Sequence, residues 1–117
     1  MVKIAEHPNE LNFGMNGMAE VSVEGKKFCV ARVVTGTETR LFACSAVCPH
    51  AGARMANGVV DGLGNIVCPL HRYKFSLANG RNVSGEGYHL KTWKMEWRAD
   101  GVWIDLPEAG AKRDLFG

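Results

Sequence analysis

The chain is expected to fold as an all-β domain, and three observations predict it. Apolar and polar residues alternate at a period of two near the C-terminal end, Gly, Asn and Asp punctuate the sequence at short intervals, and no segment shows a helical stripe of apolar side chains. Met18 to Val23 and Phe28 to Val34 are rich in Val and Ala and are separated by Glu24-Gly25-Lys26. The second run is followed by Thr35-Gly36-Thr37-Glu38, so both runs read as hairpin-linked strands. Cys29 and Cys44 fall inside strand-like stretches, KKFCVARV and RLFACSA, and read as small buried apolar residues; the sequence leaves their pairing open. From about Ala43 to Gly87 the chain is broken by Gly and Pro and offers only short strands such as Ile66 to Cys68, which reads as a subdomain inserted into a β framework. Further on, Trp93, Met95 and Trp97 alternate with Lys94, Glu96 and Arg98, the pattern of a half-buried strand. Asp100-Gly101 then signals a tight turn, and Val102, Ile104 and Leu106 complete the hairpin. The tail from Glu108 to Gly117 is expected to be loosely ordered.

At 117 residues the sequence is expected to form a single domain spanning 1–117, too short to add a catalytic or flavin-binding module. The formal net charge is +2, with Lys and Arg scattered rather than clustered, which gives no support to nucleic-acid binding. No apolar run approaches the roughly 18 residues of a membrane span. The N-terminus, MVKIAEHPNEL, lacks a charged region leading into an apolar one, so a soluble, cytoplasmic protein is expected. That compartment also argues against reading the four cysteines as two disulfides.

The chemistry sits in the inserted stretch. Cys48-Pro49-His50 is followed, after seventeen residues, by Cys68-Pro69-Leu70-His71, giving C-x-H-x17-C-x-x-H. Zinc sites of the Cys2His2 kind pair like ligands at each end, whereas here each end mixes Cys with His and both cysteines precede proline. Mixed pairs suit a [2Fe-2S] cluster in which one iron takes two thiolates and the other two neutral imidazoles. Two ferric ions, two sulfides and two thiolates cancel formally, so the oxidised cluster sits two charges above an all-cysteine one. An electron therefore enters more easily, and potentials rise from about −400 mV to between about −150 and +300 mV. Cys48, His50, Cys68 and His71 are the expected ligands. His89 reads as a surface or turn residue, since the four already fill both irons.

CPH and CPLH at this separation resemble Rieske proteins, and within them the small soluble ferredoxins of ring-hydroxylating dioxygenases and the small subunits of assimilatory nitrite reductases. The resemblance implies three antiparallel β-sheets with the cluster-binding subdomain at one tip, cysteines inside and both histidines at the surface as the electron port. It implies a one-electron carrier and not an enzyme by itself, taking electrons from a flavin-dependent reductase and passing them to an oxygenase or another iron centre. The alternatives are a subunit of a nitrite reductase-like complex, or a zinc-stabilised interaction module. The chain departs from the membrane-attached, high-potential branch of the family. The bracing disulfide cysteines are replaced by Ala53 and Leu70, and the Ser and Tyr donors by Tyr73 and Phe75. Fewer donors to sulfur leave the reduced state less stabilised, so a midpoint below zero is expected. Arg72 stands where many relatives have Gly, next to the expected electron exit, where it reads as a docking cation or a solvated surface residue. The third loop, Ser84-Gly85-Glu86-Gly87-Tyr88-His89-Leu90, lacks the relatives' prolines, leaving either a looser cover or one supplied by Tyr88.

Overall fold

The computed structural model describes residues 1–49 and 52–106. His50, Ala51 and the whole stretch 108–117 of the expected tail lie outside the described residues. Among the described residues ten strands make three antiparallel sheets. The first joins β1 (Val2–Ala5), β10 (Gly101–Ile104) and β9 (Met95–Arg98). The second has the order β2 (Met18–Val23), β3 (Lys26–Thr35), β4 (Glu38–Ser45), β8 (Thr92–Trp93). The third, β5 (Val59–Val60), β6 (Asn65–Val67) and β7 (Lys74–Ser76), is the core of the inserted subdomain. Among the described residues no helix is long and apolar enough to cross a membrane.

The middle sheet is buried on both faces, which explains the near-continuous apolar run of β3. Phe28 and Val30 point one way, into the cores shared with the first sheet, where Val102 and Ile104 are fully buried. Cys29 and Ala31 point the other way, into a core built with Met55, Ile66, Phe75, Leu77 and Leu90 of the inserted subdomain. Successive strand residues face opposite sides, so a strand sandwiched between two layers must be apolar at every position. Glu24 and Gly25 form the two-residue β2–β3 turn with φ of 51° and 84°; two positive values make the type I′ turn whose twist suits a hairpin.

Two readings of the sequence need correcting. The alternating stretch Trp93 to Arg98 is two strands in two sheets. Trp93 pairs with Ala43 of the middle sheet, whereas Met95–Arg98 pairs with β10. Trp93 stacks edge-on against Phe28 at 4.8 Å, while Trp97 is half exposed and meets His7 at 5.5 Å. The alternation thus reflects two different cores met in succession. The β9–β10 turn is also one residue earlier than Asp100-Gly101, since Gly101 already pairs with Arg98. Its φ of 142° and the 2.7 Å that a Cβ would leave to the Ala5 carbonyl oxygen account for glycine there. Strand β1 gave no sequence signal; four residues are too few for a period, and pairing with β10 defines it.

The β5–β6 hairpin is held by Asp61. One carboxylate oxygen accepts the N–H groups of Leu63 (2.8 Å) and Asn65 (3.0 Å), the other accepts the Asn65 amide (3.1 Å), and Lys74 lies 3.8 Å away. Desolvation pushes this carboxyl up, but these donors outweigh it and hold it below its ordinary value. A depressed folded-state value stabilises the fold above the unfolded pKa of about 3.9, and the gain fades as pH falls through the lower value. Asp61→Asn is therefore expected to lower the unfolding temperature at pH 7, with the deficit closing in strongly acidic solution. Paired thermal melts across pH check this, and a deficit that persists at the acid end refutes it.

Candidate metal centre

Cys48 follows the end of β4, where an isolated bridge joins Val47 to Arg54. Its N–H donates to the Ala53 carbonyl (2.7 Å) and its own carbonyl accepts from Gly52 (2.9 Å), closing the first loop on itself. Cys68 immediately follows β6, and its N–H donates to the Tyr73 carbonyl (2.8 Å), closing a second loop that contains His71. His71 and Arg72 both turn left-handed, with φ of 68° and 58°. The short 3-10 turn Met55–Asn57 that follows the first loop is tied to the framework by Asn16, whose amide donates to the carbonyls of Ala56 and Gly58, each at 2.8 Å. Nothing about Asn16 in the sequence marked this tether, because it spans about forty residues of chain.

The structure brings Cys48 and Cys68 together, both buried, with a hydrogen bond between the two thiols. Burial pushes the Cys68 thiol up, the Leu70 N–H pulls against that rise, and the adjoining Cys48 sulfur adds to it, leaving about 11. Both cysteines belong to the core between the middle sheet and the inserted subdomain. His71 is exposed, as expected for a surface imidazole. His50 lies outside the described residues. Among the described residues no three His, Cys, Asp or Glu side chains converge as they would around one ion. A buried thiol pair and an exposed imidazole on the second loop suit a two-iron group, whose sulfur and nitrogen ligands go to different irons, better than a single tetrahedral zinc.

The surroundings bear on the electronics. The Leu70 N–H is a donor to the Cys68 sulfur that the sequence did not reveal, because backbone donors depend on loop conformation. Phe75 is fully buried in β7 and carries no hydroxyl to donate. Tyr73 lies 6.2 Å from the His71 ring, and Tyr88 covers Tyr73 at 5.9 Å, so Tyr88 supplies the cover over the second loop. The third loop is ordered by Asn82 in place of proline. Its amide donates to the Lys74 carbonyl (3.1 Å) and to Glu86 (2.9 Å), and its oxygen accepts the N–H of Gly87 (3.0 Å). His89 is exposed on an isolated bridge to Arg81, a surface position.

Cys29 and Cys44 are directly opposed across β3 and β4, both fully buried and both free thiols. Their mutual hydrogen bond and burial push the Cys44 thiol far above its ordinary range, so it stays protonated and apolar in character. They are residues of the same core as the Cys48–Cys68 pair.

With this geometry in view, the family profile described as "Rieske [2Fe-2S] domain" matches residues 2–94. The ferredoxin component of the naphthalene 1,2-dioxygenase system of Pseudomonas aeruginosa is 33% identical over 87 residues, covering 74% of this chain and 79% of that protein. Two solved structures are similar in fold. One, described as the small subunit of an NADPH nitrite reductase, has a TM-score of 0.71 at 22% identity over 91% of this chain and 100% of that one. The other, from a complex of oxygenase and ferredoxin in carbazole 1,9a-dioxygenase, has a TM-score of 0.67 at 23% identity over 89% of this chain and 100% of the other.

Proposed function

The chain belongs to the Rieske [2Fe-2S] domain family, and from that premise we infer that Cys48, His50, Cys68 and His71 are the ligands through which it carries single electrons from a reductase to a terminal oxygenase. The observation that carries the assignment is the buried Cys48–Cys68 thiol pair, with His71 exposed on the loop that follows Cys68. When bound, the cluster accepts and releases one electron at a potential set by its mixed ligation. The residues of this chain do the rest. Cys48 and Cys68 must give up their protons to bind iron, which the raised Cys68 thiol makes dependent on the metal itself. The apolar layer of Met55, Ile66, Phe75 and Leu90 keeps water from the sulfur side. His71 provides the exposed edge through which a docked partner is reached. The donor is a flavin-dependent reductase, and cysteines that form no disulfide suit the reducing cytoplasm. The chain is an electron carrier rather than an enzyme.

A reductive titration followed by EPR tests the reading. A rhombic Rieske signal appearing at a midpoint below zero is expected, because Phe75 offers no hydroxyl and no disulfide braces the loops. A clearly positive midpoint would overturn the low-potential assignment, and a metal-loaded protein without any signal would overturn the carrier. Purification from its source in a fixed complex with a nitrite-reducing enzyme would instead assign the small-subunit role.

A further inference from the structure

We propose that Arg72 is the docking cation of this carrier, a guanidinium set beside the His71 port that selects redox partners bearing acidic groups around their own electron entry. The inference rests on the carrier reading and deepens it by naming the chemistry of the partner surface. Three observations carry it. Arg72 is held at φ 58° directly after His71 at φ 68°, a left-handed pair in which glycine would sit without the clash that a Cβ brings. A long cationic side chain is therefore kept at a position where the backbone favours none, and backbone strain of this kind gathers at functional sites. Second, Arg72 is exposed and makes no ion pair among the described residues, whereas Arg54 is engaged by Glu20 at 3.1 Å and Lys74 approaches Asp61 at 3.8 Å. No carboxylate among the described residues neutralises its charge. Third, the ligand loops expose apolar side chains next to the ligands in sequence, Val47 (50% exposed) before Cys48 and Leu70 (43%) before His71, and the third loop adds Tyr88 (42%) against Tyr73. Exposed apolar side chains together with a charge are the composition of a transient protein interface, in which the charge sets approach and orientation.

The reduced holo-protein can be probed with two small oxidants of opposite charge, hexacyanoferrate(III) and hexaammineruthenium(III). Each takes one electron from the reduced cluster and is itself reduced by one. Rapid-mixing rates are compared for the wild type, Arg72→Gln and Arg72→Gly at low and at physiological ionic strength. A trivalent ion and one charge about 10 Å apart in water, screened over about 30 Å at about 0.01 M salt, predict that losing Arg72 slows the anionic oxidant about fourfold and speeds the cationic one by a similar factor. Both effects shrink at physiological salt. A change of potential would move the two rates in the same direction, so opposed shifts isolate charge at the port. Equal rates for wild type and Arg72→Gln with hexacyanoferrate(III) at low salt would overturn the proposal. In a second measurement, Arg72→Gly holo-protein is expected to unfold at or above the wild-type temperature; a fall of several degrees would show that the side chain serves the fold and would also overturn it. A wild type lacking the Rieske EPR signal would refute the carrier reading itself, whereas a normal signal with rates indifferent to Arg72 refutes only this inference.

Discussion

Cys68→Ser is expected to yield a folded protein without its visible absorption, its EPR signal or its bound iron. Cys48 and Cys68 are the two sulfurs that the fold brings into contact, and serine offers a hard, weakly acidic oxygen where a thiolate is required. The decisive comparison is Cys29→Ala. Cys29 is as fully buried as Cys68 and lies in the same core, yet its sulfur meets Cys44 and, at 4.0 Å, Met18. Removing that sulfur leaves a small cavity and costs about 1 to 2 kcal/mol, with iron and sulfide contents unchanged. Iron and sulfide assays on the two variants separate ligand cysteines from core cysteines. Full iron content in Cys68→Ser, or its loss in Cys29→Ala, would overturn the ligand assignment.

The second large effect lies at Gly80. Its φ is +78°, and a Cβ there would stand 1.7 Å from the carbonyl oxygen of Leu90 and 2.9 Å from the carbonyl carbon. At this crossing the chain leaving β7 meets the chain returning toward β8. The Leu90 N–H donates to the Gly80 carbonyl at 2.9 Å, and the Gly80 N–H to Ser76 at 2.7 Å. The obstructing atoms are backbone, and Leu90 is itself fully buried, so neither side can step aside without opening the core beneath Cys68. Gly80→Ala is expected to cost about 3 kcal/mol or more, lowering the unfolding temperature by about 10 °C or more. Gly36→Ala gives the contrast: φ is +61°, but nothing lies within 4 Å of the added atom, so only the left-handed strain of about 1 kcal/mol remains. Equal melting temperatures for the two variants would show that the crossing is looser than its geometry requires.

Much of this protein was legible from residue order because its signals are local. A hairpin needs only a turn of the right type between two strand-forming runs, and Glu24-Gly25 between Val23 and Lys26 supplies it. The ligand motif is local too, since each Cys/His pair occupies one short loop and its spacing alone separates it from a zinc pattern. The three-sheet architecture followed from resemblance on those same residues, and the structure bears it out. What failed to show in the sequence depends on distant chain. Trp93 and Met95 look like neighbours on one strand but pair with different sheets, because Ala43 and Ile104 bid for them from opposite sides. The Asn16 tether, the Asn82 hub and the Leu70 N–H on the Cys68 sulfur are ordinary residues until the loops close.

The sequence by itself determined two Cys/His pairs on two short loops, and with them the class of metal group and its one-electron chemistry, because a thiolate or an imidazole is the same ligand wherever the fold puts it. Only the tertiary structure decided which cysteines meet. Cys29 and Cys48 are alike as residues, and both are buried. One faces Cys44 across a strand pair and the other faces Cys68 across a loop pair, and long-range pairing, which no local pattern encodes, makes that difference.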